Sequence, residues 1–225
     1  MRLKIFCGFL LCIFACSKVN QWKNPTSICF DLALSSTQFL DGDLALRTGH
    51  LNISNFIFDG EREQGGDVYF STDYDQLVQV PVKGPAIEAM TFDVPQGIYT
   101  AMNIQLGDEN KPSTLILEGE WKPNNADPVF VQVELEKVEK WSIIGKNQAR
   151  QQQPLELGAK KAVASIVLQP NFWITEEQRI LWEMAETVLV NGRTTLLVNP
   201  TTNIELYQAV SKLFLAHTPC ALVES

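Results

Sequence analysis

Two histidines, five cysteines and 26 acidic side chains set the chemistry open to this chain of 225 residues. His50 and His217 stand alone in the sequence. Neither belongs to a His-Glu-x-x-His pair and no Cys-x-x-Cys is present, so nothing has the ligand spacing of a zinc centre. The chain also lacks a Gly-x-Ser-x-Gly elbow, a phosphate-cradling Walker loop and a dinucleotide fingerprint. Asp59, Glu61, Glu63 and Asp67 cluster beside Gly60, Gly65 and Gly66, and oxygen-rich loops of that kind attract hard cations. The spacing departs from an EF-hand, however, and Arg62 stands in the middle, so a solvated hairpin tip without metal is expected. The many acidic residues could supply a carboxylate pair for glycoside hydrolysis, but nothing in the sequence fixes the separation that this mechanism needs. Trp121, Trp141, Trp173 and Trp182 are the candidates for stacking on a sugar. Trp121 shares a face with Leu115 and Leu117, and Trp182 sits within a helix expected to be docked, so both are expected in the core.

Any such group must be carried by elements that the patterning makes visible. From Thr26 to Pro170 apolar and polar residues alternate with period two, broken by turn residues every 8–15 positions. Val129–Glu136 puts Val129, Val131, Val133 and Leu135 on one face. Ile98, Thr100, Met102, Ile104 and Leu106 read as one side of another strand. Further strands are expected at 51–58, 67–71, 77–82, 87–94, 114–121 and 161–168. This many short strands predicts a mainly β fold, an antiparallel immunoglobulin- or transthyretin-like sandwich, over residues 27–170. In Asp93-Val94-Pro95-Gln96-Gly97-Ile98-Tyr99 a tight turn precedes a Tyr placed like the corner-bracing Tyr of such sandwiches. Asn147–Gln153 reads as an exposed loop tip.

Beyond Pro170 the texture turns helical, over residues 171–225. Thr175-Glu176-Glu177-Gln178 forms a capping box, followed by Ile180, Leu181, Met184, Ala185 and Val188 at helical spacing. Asn191-Gly192 ends that segment, and Thr194–Val198 reads as a short strand. Asn203 is placed to cap a second helix with a stripe of Ile204, Tyr207, Val210, Leu213 and Phe214. His217 near its end suits the helix dipole. Two such amphipathic helices are expected to pack on the sandwich.

The N-terminus carries an address. Arg2 and Lys4 precede an uncharged apolar run, Ile5–Ala15, too short to span a bilayer but fitted to a secretory signal over residues 1–15. Ile13-Phe14-Ala15-Cys16 resembles a bacterial lipoprotein box. That resemblance implies a diacylglycerol thioether on Cys16, cleavage after Ala15 and acylation of the new amino group, with 16–26 as a lipidated tether. Several acyl chains anchor firmly where one does not. Ser17, rather than Asp, resembles outer-membrane sorting, periplasm-facing. Cys7 and Cys12 leave with the signal. Cys29 and Cys220 then remain, either as a disulfide that the compartment permits or as two separate thiols.

Phe56-Ile57-Phe58-Asp59-Gly60-Glu61-Arg62-Glu63-Gln64-Gly65-Gly66, the Pro95-to-Tyr99 turn and Asn203-Ile204-Glu205-Leu206-Tyr207 resemble a set of Bacteroidota lipoproteins without assigned activity. The family implies a periplasmic or surface β-sandwich and carries over no catalytic residue. A net charge of −8 argues against nucleic acid as partner. The expectation is therefore a non-enzymatic, cofactor-free binding or structural component of the envelope, held to the membrane through Cys16. Its partner is an envelope protein or a glycan. Two alternatives stay open: a glycan-binding adhesion-type domain, and a hydrolase with a noncontiguous carboxylate site.

Overall fold

The computed structural model describes residues 24–81, 86–107, 110, 112–122, 126–137, 139–146, 152–216 and 221–224, and these are mainly β. The strands are β1 (Pro25–Leu34), β2 (Gln38–Phe39), β3 (Leu44–Arg62), β4 (Val68–Val80), β5 (Ile87–Pro95), β6 (Gly97–Leu106), β7 (Ser113–Trp121), β8 (Val129–Lys137), β9 (Glu139–Lys146), β10 (Gln152–Gln153), β11 (Leu155–Leu157), β12 (Ala162–Leu168), β13 (Thr187–Val190), β14 (Arg193–Val198) and β15 (Ala221–Glu224). Two helices follow β12: α1 (Arg179–Met184) and α2 (Ile204–Ala216).

Three long antiparallel runs organise the chain. β3 pairs with β4 on one edge, while its other edge meets β7 along Leu44–Asn52 and β6 along Phe56–Arg62. β6 and β7 therefore lie end to end, and β8 and β9 repeat that arrangement beside them. β9 joins the two halves of the sheet, pairing Asn103–Leu106 of β6 through Glu139–Ser142 and β15 through Ile143–Gly145. The sheet continues from β15 through β12 and β1 to β5, and on the other side from β8 through β14 to β13.

Alternation fills one continuous core. Ile28, Phe30 and Leu32 of β1 are buried, as are Val131, Val133 and Leu135 of β8. Phe56 stacks on Phe92 at 3.8 Å between ring centroids and Phe58 on Phe70 at 5.2 Å, so aromatic rings occupy the half near β5. Towards the other end Trp121 meets Trp182 at 5.9 Å and Trp173 meets Phe214 at 4.8 Å. All three Trp are buried, in line with the core reading of Trp121 and Trp182.

Several expectations are corrected. The pairing is not wholly antiparallel: β1–β12, β8–β14 and β9–β15 are parallel, because later strands return after long connections. The helix after Thr175 stops at Met184, where Ala185 turns extended (ψ 134). The Asn203 amide then takes both backbone groups of Glu186, accepting its N–H at 2.8 Å and donating to its carbonyl at 2.9 Å. Those groups are lost to a helix, and the run Thr187–Val190, three of whose four residues are β-branched, forms β13. Asn203 also donates to the Leu197 carbonyl at 2.8 Å, so its side chain joins segments rather than capping α2. The buried stripe of α2 is Leu206, Val210 and Phe214, with Ile204 outside it. Gln152 and Gln153, expected in a loop tip, pair with Lys146 and Gly145.

The 171–225 segment thus supplies β13, β14 and β15 to the sheet as well as helices. The Thr175–Gln178 capping box forms as expected, with the Thr175 N–H donating to Gln178 Oε1 at 3.1 Å. Among the described residues no helix is long and apolar enough to cross a membrane.

Candidate functional site

The site grows from a register slip. Met102, Ile104 and Leu106 face the core as expected, but β3 and β6 slip between Glu61 and Arg62, so that Ala101 lies opposite Glu61 and Tyr99 opposite Arg62. The slip reverses the facing of the strand start. Tyr99 turns inward and is buried, whereas Ile98, expected beside Met102, turns outward. The Tyr99 hydroxyl donates to the Pro95 carbonyl at 2.7 Å, bracing the turn as its placement suggested. Burial pushes the phenol up to about 12. Gly60 makes room for that ring, since a Cβ there would stand 2.8 Å from Tyr99 Cε1.

The acidic hairpin packs beside this turn, and Arg62 organises it. Its guanidinium donates from Nη2 to the Gly65 carbonyl (2.7 Å), from Nε to Gly66 (2.8 Å) and from Nη1 to Gln96 (3.3 Å). Its backbone N–H reaches Asp67 Oδ1 at 3.3 Å. Gly65 and Gly66 have φ of +92° and +80°, the left-handed conformation that aims both carbonyls inward at low cost. The loop carbonyls that a calcium ion would need therefore surround a built-in cation. Among the described residues no three His, Cys, Asp or Glu side chains group as a metal site.

Outside Ile98 lies a pocket of about 350 Å³, with Asn24, Gln96, Gly97, Glu156, Leu157 and Gly158 in its wall. Four segments build it. Asn24 enters β1 with its carbonyl accepting from the Gln96 N–H at 2.9 Å. β11 pairs with the start of β6, setting Glu156 opposite Ile98 and Leu157 opposite Gly97. Thr26 donates to the Lys160 carbonyl at 3.1 Å, closing the turn after β11. The wall offers amides, backbone groups and one carboxylate around an apolar strip, a lining suited to a small polar ligand.

A second polar cluster lies on the outer face of β1. Cys29 is a free, buried thiol level with Thr91 of β5 and Val163 of β12. Its Sγ lies 3.3 Å from Asp31 Oδ1, and burial pushes the thiol up to about 11. Lys161 Nζ sits 2.8 Å from Glu88, and that contact, with the Thr91 hydroxyl, holds the carboxyl down to about 2. A protonated, covered thiol is a poor nucleophile.

The other expected site residues are placed as follows. Cys16, His217 and Cys220 lie outside the described residues. Ala221, next to Cys220, pairs with Ile166, on the far side of β12 from β1 and three residues along from the level of Cys29. The Cys29–Cys220 pairing falls outside the described residues. His50 lies in β3 opposite Ile116 and Gln79, remote from the pocket. Tyr69, which sequence reasoning passed over, is the most exposed aromatic among the described residues at 69%, opposite Asp59 on the outer face of β4 and β3. No protein-family model matches this chain, and no curated protein matches it either.

Proposed function

We propose that the protein is a non-enzymatic, lipid-anchored binding component of a bacterial outer membrane, facing the periplasm, whose pocket beside Gly97 takes a small polar ligand. The proposed frame is an immunoglobulin- or transthyretin-like β-sandwich with its C-terminal helices docked on one end. The observation that carries the binding reading is the pocket wall, in which Glu156 is the single carboxylate beside the amides of Asn24 and Gln96. A hydrolase of the carboxylate type would need two acids converging there.

The lipid reading rests on the Ile13-to-Cys16 box. Asn24 follows Cys16 by 24 − 16 = 8 residues, so a lipid on Cys16 would hold the pocket rim within about 28 Å of the acyl chains. Intact-mass spectrometry of the protein from its native envelope tests it. The expected species starts at Cys16 and carries the thioether-linked diacylglycerol and an N-acyl chain. An unmodified Cys16, or another N-terminus, overturns the anchor.

Glycan binding is a second reading, favoured by Tyr69: an exposed ring flanked by Asp59 suits stacking on a sugar with hydrogen bonds to its hydroxyls. A glycan array separates the two sites. Loss of signal with Tyr69→Ala assigns the outer face, and loss with Glu156→Gln assigns the pocket.

A further inference from the structure

We propose that β13, with the apolar margin beside it, is a docking edge that accepts an extended, apolar strand flanked by basic residues from a partner protein. The inference is independent of the lipid anchor and of the pocket.

The backbone supplies the first reason. Asn191 (φ 48°) and Gly192 (φ 81°) form a two-residue turn joining β13 to β14. Such a turn makes Val190 and Arg193 a hydrogen-bonded pair, and the alternation of an antiparallel ladder then points the N–H and C=O of Thr187 and Leu189 away from β14. Among the described residues no strand pairs with that side. β13 reads Thr-Val-Leu-Val, without the proline or charge that usually blunts an edge. By contrast, β5 carries Glu88, Asp93 and Pro95, and β4 carries Asp73 and Asp75.

The side chains supply the second. Leu189 stands opposite Thr194, on the same face as Leu196, Val198, Val131 and Val133. The other four are buried under the helical layer, but Leu189 is 74% exposed. The core face therefore runs past its cover. Ile180 and Met184, one turn apart on α1, are 66% and 72% exposed, while Trp182 between them is buried. Ile204, 48% exposed, is drawn to the same margin by the two Asn203–Glu186 bonds. A strand added to β13 would extend the sheet and lay its own apolar face beside Leu189.

Charge sets the flanks. Glu177, Glu183, Glu186 and Glu205 are all exposed around this margin. Two cations of the surrounding segments are engaged: Arg179 pairs with Asp43 at 2.6 Å and Glu176 at 2.8 Å, and Arg193 lies over the Phe130 ring. The acidic rim complements lysine or arginine at the ends of the incoming strand.

The test titrates the full-length chain into a labelled peptide, Lys-Lys-Val-Thr-Val-Ile-Lys-Lys, followed by fluorescence anisotropy. A second peptide carries N-methyl groups on alternate amides and cannot pair as a strand. The expected result is saturable binding of the first peptide, weakened at least tenfold by N-methylation and by Leu189→Glu. Because Leu189 is exposed, that variant should keep the parental melting temperature. Absence of binding overturns the proposal, as does equal binding of both peptides. Sedimentation showing a dimer that Leu189→Glu dissolves would give the edge to a second copy and overturn the partner assignment.

Discussion

Replacing Gly60 by Ala adds one methyl group to β3 where the ring of Tyr99, which braces the turn beside the pocket, presses on it. Its Cβ would lie 2.8 Å from Tyr99 Cε1, 2.9 Å from Phe58 Cε1 and 3.0 Å from Tyr99 Cδ1, all closer than ordinary carbon contact. Neither ring can swing out, because both are buried and Tyr99 is also tied to Pro95. Elsewhere in a strand the same change would help, since Gly costs roughly 0.5–1 kcal/mol against Ala. Overpacking a core costs about 1–3 kcal/mol, so the clash dominates. For a chain of this size the melting temperature should fall by roughly 2–12 °C. Gly158 is the control: an added Cβ meets nothing within 4 Å, and Gly158→Ala should leave the melt unchanged or slightly higher. Calorimetry of the three proteins decides it. A Gly60→Ala variant as stable as its parent would show that Tyr99 does not press on β3, and the bracing of the turn would lose its basis.

Two further outcomes follow from the same geometry. Millimolar calcium should leave the melting temperature unchanged, since the Arg62 guanidinium already engages the Gly65 and Gly66 carbonyls; a rise abolished by Asp59→Asn with Asp67→Asn would refute that. Cys29 should resist alkylation at pH 8 in the folded chain and react once unfolded, because raising a thiol from 9.0 to about 11 cuts its thiolate roughly 100-fold before burial is counted. Its folded form keeps the proton to higher pH than the unfolded chain, so this contribution to stability is full below about pH 9 and is lost as pH rises towards about 11.

What was legible in the sequence is what alternation or a turn signature encodes locally. β8 follows its period-two pattern throughout, and Tyr99 declared its corner through Pro95 and Gly97 two residues earlier. β9 was missed because its pairing is long-range and divided, with β6 up to Ser142 and with β15 from Ile143 on, which no local pattern announces. β13 was absorbed into a helix because Val188 satisfies a 3.6-residue repeat as well as a 2-residue one. What separates them is Asn203, 17 residues away, holding the backbone of Glu186. The pocket was invisible for a related reason. Its wall gathers Asn24, Gln96–Ile98 and Glu156–Ala159, segments far apart in the chain, and the slip at Arg62 turns Ile98 outward to meet them. Residue types record such a slip poorly: Ile98 and Tyr99 are both apolar, and their neighbours alone decide which faces inward.

The same long-range pairing explains why the helical segment after Pro170 is not a detachable appendix. β15 lies between β9 and β12, hydrogen-bonded to both, and β14 completes the outer edge of β8. Without residues 171–225 three strand edges would lose their partners, and Trp121 would lose Trp182 from its face. The pocket and the β13 margin nevertheless lie at opposite ends of one continuous element. β3 runs from Arg62, beside the pocket turn, to Leu44, opposite Trp121 and the end of the sheet that carries β14 and β13. Nineteen residues of strand reach at most about 60 Å. The pocket end, where the chain enters through Asn24, and the β13 end are thus separate surfaces. A small ligand in the one and a protein strand on the other need not compete, because β3 holds the two sites apart.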